Sequence, residues 1–112
     1  MKRADQLRQL QTLSQMILDS KLFALDRAAQ ARQISLDRMA ELDRPVDAPD
    51  LSPIVAGEVA MRYQTWADMR RAEINLTLAR QTVELAEAKE AATEAFGRDT
   101  ALGAVRGKIT RA

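Results

Sequence analysis

The stretch RYQTWADMRRAEIN, Arg62 to Asn75, holds the only tryptophan and the only tyrosine of the chain together with three arginines. Guanidinium groups among aromatic rings can grip a nucleic acid or another anion through charge, stacking and cation–π contact. The same residue types at helical spacing also make the inside and the charged outside of a coiled coil. Arg70 and Arg71 alternate with Asp68 and Glu73, whereas a phosphate-binding face gathers cations without matching acids, so nucleic-acid recognition is disfavoured. Catalytic chemistry is scarcer still. The chain has neither Cys nor His, which removes disulfides, thiolate nucleophiles, a histidine base and most zinc or copper sites. Its sixteen carboxylates recur among basic residues on helical stretches, the pattern of a solvated face. The expectation is a protein that is not an enzyme, needs no cofactor or metal, and works by holding on to other proteins.

Composition points to the elements that must carry this stretch. Of 112 residues, 46% are hydrophobic and 29% charged, with two Phe only. The apolar content is mostly Ala and Leu, which lose little freedom in a helix. A single all-α domain of long packed helices is expected. The N-terminal MKRADQLRQL has charges without a following apolar run, and nowhere do about eighteen apolar residues stand together, so a soluble, cytoplasmic chain without membrane insertion is expected. The net charge of +1 gives no bulk attraction to polyanions. From Thr100 onwards, however, Arg106, Lys108 and Arg111 stand without a single acid.

From Asp5 to Leu42 there is neither Gly nor Pro, and apolar residues recur at helical spacing, which predicts one long helix over about 5–42. Asp43 to Pro53, DRPVDAPDLSP, collects all three prolines with several aspartates and predicts a turn over about 43–52. Ser52 before Pro53 is a helix start, its hydroxyl capping free N–H groups and the proline taking the first helical position. A second helix is expected over about 53–96, with Gly97 as its stop and a basic tail over 97–112. A short loop forces two such helices antiparallel. The expected fold is a long antiparallel two-helix coiled-coil hairpin with a short C-terminal extension. Pairing outward from the turn sets residues whose numbers sum to about 95 opposite one another. Leu10 would then meet Leu85, and the tail would project without a partner.

At 100° per residue, Val59, Tyr63, Trp66, Ala67, Ile74, Leu78, Leu85, Ala88, Ala92 and Ala95 share one side of the second helix. Leu18, Leu22, Leu25, Ala29, Leu36 and Met39 answer them on the first, interrupted by Arg32 facing Tyr63. Tyr63 and Trp66 are therefore expected inside the seam. A remainder is left over. Arg62, Met69, Leu76, Val83 and Glu90, spaced by seven, form a line well away from that seam, as do Met16 and Phe23 on the first helix. Either these are solitary exposed residues or they form a surface for a partner or for self-association.

The order of features, a gapless LQTLSQMILDSKLFALDRAAQARQISLDRMAEL, a turn, then EVAMRYQTWADMRRAEINLTLARQTVELAEAKEAATEAF, resembles the flagellar type III export protein FliJ family, hairpins shaped like the central stalk of rotary ATPases. The likeness covers nearly the whole chain and is clearest at Arg62–Gln81, although this chain is short for the family. It implies a stalk whose terminal end enters a hexameric export ATPase ring and whose helical face touches the export gate. Arg62, Met69, Leu76 and Val83 then become the gate-facing candidates, and Arg98, Arg106, Lys108 and Arg111 the ATPase-facing ones. It also implies a location in the cytoplasm or at the periphery of the export apparatus. Two other classes stay open: a structural, self-associating hairpin that pairs into a homo-oligomer, and the nucleic-acid adaptor.

Overall fold

The first helix ends where its backbone runs out of partners. Leu42, Asp43 and Arg44 donate to the carbonyls of Met39, Ala40 and Glu41 at 3.1–3.3 Å, tight bonds of the 3₁₀ type that close a last turn. Pro45 follows, which offers no N–H and disfavours helical backbone in the residue before it. In the computed structural model, which describes residues 2–45 and 50–111 with the side chains of residues 110 and 111 excepted, α1 spans Lys2–Glu41 and α2 spans Pro53–Arg111. The fold is an all-α helical hairpin, and no strand occurs among the described residues. Ser52 caps α2 as its sequence position requires, its Oγ accepting from the Val55 N–H at 3.4 Å. Part of the expected turn, residues 46–49, lies outside the described residues.

Packing divides the hairpin into two units, Met1–Gln30 with Val83–Ala112, and Ala31–Thr82. In the second unit the core is small: Leu42, Ala67 and Ile74 are buried, with Met39, Tyr63 and Leu78 packed against them. Along α1 and the turn after it, Arg32, Ser35, Met39 and Leu42 are inward positions, alternating by three and four as a coiled-coil seam does. Arg32 does not meet Tyr63; its Nε donates to Thr82 Oγ1 at 3.2 Å. The Leu42 carbonyl, left over at the helix end, accepts from Arg71 Nη2 at 3.1 Å. The same nitrogen lies 3.0 Å from Asp43 Oδ1, and Nη1 lies 2.8 Å from Asp68. A guanidinium from α2 thus caps α1 where no glycine is available to do so.

That contact corrects the register. Arg32 faces Thr82 and Leu42 faces Arg71, so paired numbers sum to about 114 rather than 95. The estimate of 95 centred the bend on the prolines; burial decides otherwise, because only this alignment seats Ala67 and Ile74 against Leu42. Among the described residues, the start of α2 accordingly lies on the turn side of the paired stretch. Its first turns precede the level of Leu42, with Ile54 and Met61 exposed and Asp43, Arg44 and Pro45 alongside Ala60, Tyr63 and Gln64.

In the other unit, Ala92, Ala95 and Ser14 are buried and Ala4, Leu7, Gln11, Leu18, Leu25 and Ala28 are partly so. The buried ones are all small, which permits close approach of two helices. The expected stop at Gly97 and the expected unpaired tail are both overturned. α2 runs on through Gly97, Gly103 and Gly107 to Arg111, and no glycine has positive φ. Arg106 Nη1 donates to Gln11 Oε1 at 2.9 Å, and a Cβ on Gly103 would stand 3.3 Å from Gln11 Nε2. Packing against α1 therefore offsets the roughly 1 kcal/mol that each helical glycine costs.

Two stability measurements check this account. A glycine that caps a helix is harmed by alanine, whereas one inside a helix gains from it. Nothing lies within 4 Å of a Cβ on Gly97, so Gly97→Ala should stabilise the protein by about 0.5–1 kcal/mol in urea unfolding; a loss would restore the helix stop. Arg71→Met keeps the aliphatic stem and removes the cap, and should lower stability by about 1–2 kcal/mol.

Candidate functional site

The stretch that could do chemistry is divided by the fold into separate tasks. Tyr63 is half-buried in the seam, with its hydroxyl at a long 3.5 Å from the Leu42 carbonyl. Arg71 is the structural cap. Arg70 Nη1 pairs with Glu73 at 2.9 Å on the surface, where such a pair contributes little. Trp66, expected in the seam, stands outside it at 54% exposed, its ring 5.7 Å from that of Tyr63 and tilted by 44°. The reason is angular. In a seam advancing by three and four, Tyr63 and Ala67 take the inward positions, and position 66 falls on the flank. Val59 and Leu22, also expected inside, are exposed, as is Ala29.

The line of seven-residue spacing behaves as expected of an outward face. Met69 is 65% exposed, Leu76 76% and Val83 57%, and Arg62 is exposed too. Met69, Leu76 and Arg62 belong to one unit and Val83 to the other. Met16 and Phe23 are also exposed, and Arg27 lies over the Phe23 ring at 5.8 Å.

Of the four basic candidates of the C-terminal segment, the three described side chains have different surroundings. Arg106 is turned into the pairing with Gln11 and is only half-exposed. Arg98 is exposed and borders a groove, Lys108 is exposed, and the Arg111 side chain lies outside the described residues.

That groove escaped the sequence reading. Leu10, Leu13, Ser14 and Ile17 of α1 and Ala95, Arg98 and Leu102 of α2 enclose about 180 Å³. A shallower depression of about 370 Å³ lies among Leu18, Leu22, Leu25, Ala92 and Phe96. The signal was present in the three-and-four spacing of Leu10, Leu13 and Ile17. It became readable only once α2 was known to continue past Gly97. Among the described residues no group of three or more carboxylates is placed to hold a metal ion, and no helix is long and apolar enough to cross a membrane. What the surfaces offer is apolar contact.

Neither protein-family models, nor curated proteins, nor solved structures match this chain.

The position of Trp66 has a direct optical test. Trp66→Ala should cost well under the ~3 kcal/mol of a buried aromatic, within about 1 kcal/mol of the native chain. The native emission should lie near that of a hydrated indole and be quenched readily by iodide. A blue-shifted, protected emission would return Trp66 to the seam.

Proposed function

We propose that this chain is a non-enzymatic docking hairpin, a scaffold whose outward apolar faces bind protein partners. One observation carries the reading: nineteen large apolar side chains are exposed among the described residues, while no large side chain is fully buried. Solitary exposed apolar residues are ordinary on any protein. Here they outnumber the five buried hydrophobic residues of the seam, and a chain with so little interior has its binding capacity on the outside.

Within that class, the proposed role is a stalk or adaptor of the flagellar protein-export apparatus, engaging the export ATPase and the export gate. The hairpin fold and the resemblance over Arg62–Gln81 support it. Met69, Leu76 and Val83, with Arg62 beside them in the heptad line, are the proposed gate contacts. Arg98 and Lys108, both exposed, are the proposed ATPase contacts of the C-terminal segment. Arg106 is better assigned to holding the two helices together.

The test is a pull-down with purified export ATPase and gate components. Met69→Gln, Leu76→Gln and Val83→Gln combined should leave helix content intact, each surface change moving stability by about 0.5 kcal/mol. Binding to the gate component should fall at least about tenfold, or 1.4 kcal/mol. A native chain that binds neither component overturns the export role, and a folded triple variant with undiminished binding overturns the assignment of these three residues.

A further inference from the structure

In the unit of residues 1–30 and 83–112, each helix carries a second apolar stripe besides the one spent on its neighbour. On α1 it is Leu10, Leu13 and Ile17, each about half exposed; on α2 it is Leu102, Val105 and Ile109, half-buried to exposed. Both advance by steps of three and four, the spacing by which one helix takes up another. Two such stripes on neighbouring antiparallel helices are what one half of a four-helix bundle presents. The stretch around Leu13 is also free of charge: residues 9–18, QLQTLSQMIL, contain no ionisable side chain in a chain that is 29% charged. Arg98 alone brings a charge to the groove wall, and its long stem can lie along the face with the guanidinium at the rim.

The exposed area is large enough to supply an interface. The chain exposes 8844 Å² at 12.5 kDa, where a folded monomer of that mass exposes about 6200 Å². The excess of about 2600 Å² is well above the ~800 Å² per partner that a stable interface takes. The stripe also satisfies the symmetry of a pair, in which the same patch must meet itself. Run antiparallel about Leu13, Leu10 of one copy meets Ile17 of the other, and Leu13 meets Leu13.

We propose that the Leu10–Leu13–Ile17 and Leu102–Val105–Ile109 face binds a second copy of this chain, closing a four-helix unit of two-fold symmetry. The inference is independent of the export role, since it uses other residues than the Met69–Leu76–Val83 line. Sedimentation equilibrium of the full chain across the micromolar range tests it, with circular dichroism on each variant. The native chain should show twice the 12.5 kDa mass. Leu13→Glu and, separately, Val105→Glu should weaken the dimer at least about tenfold with helix content retained, while Leu76→Glu should leave the mass unchanged. Should Leu13→Glu lose helix, Leu13→Gln and Val105→Glu decide. A native chain that stays monomeric overturns the proposal, and so does a dimer that survives both stripe variants, because it would use another face.

Discussion

The hydrogen bond from Arg71 to the Leu42 carbonyl is the contact around which the residue 31–82 unit is arranged. A helix end leaves carbonyls without donors, and a buried carbonyl without a partner costs on the order of 1–3 kcal/mol. α1 has no glycine near its C-terminus to turn the chain back and satisfy them. A donor must come from elsewhere, and a guanidinium with five N–H groups on a planar fork can serve the carbonyl and two carboxylates at once. Once Arg71 is committed there, Ala67 and Ile74 pack with Leu42 and Met39. A residue that composition offers as a ligand contact is spent on register.

The seams themselves are narrow. Ala67, Ala92 and Ala95, with Ser14 and Ser35, occupy buried positions where a larger core would hold Leu or Phe. Small residues allow close approach but remove little apolar area each, and area is what the hydrophobic effect rewards, at about 25 cal/mol per Å². Polar groups weaken the seam further. One oxygen each of Gln81 and Asp99 is buried without a hydrogen-bond partner. A two-helix hairpin built this way retains much of its apolar surface outside, and any surface that covers those faces adds to its stability by mass action. Covering such faces would therefore couple binding to folding.

The three arginines of the stretch Arg62–Asn75 diverge into a cap, a surface ion pair and an exposed position. Rigid helices that carry apolar lines at fixed spacing suit recognition of another helix, where side chains interlock at three-and-four intervals. The two outward surfaces named above share no residue, so one chain can present both at the same time.

Much of the architecture was legible before any coordinates. The gapless run to Leu42, the prolines after it and the Ser52–Pro53 start determine two helices and a reversal, because local propensity and capping act within a few residues. The outward line of Met69, Leu76 and Val83 was equally legible, since helical periodicity alone places it. The register, the Arg71 cap, the flank position of Trp66 and the continuation past Gly97 were not. Each depends on residues far apart in sequence: Leu42 with Arg71, Gln11 with Gly103 and Arg106. Local rules read Gly97 as a stop because an isolated helix would fray there. Only packing against α1, which propensity does not contain, made it continue and so completed the face around Leu13.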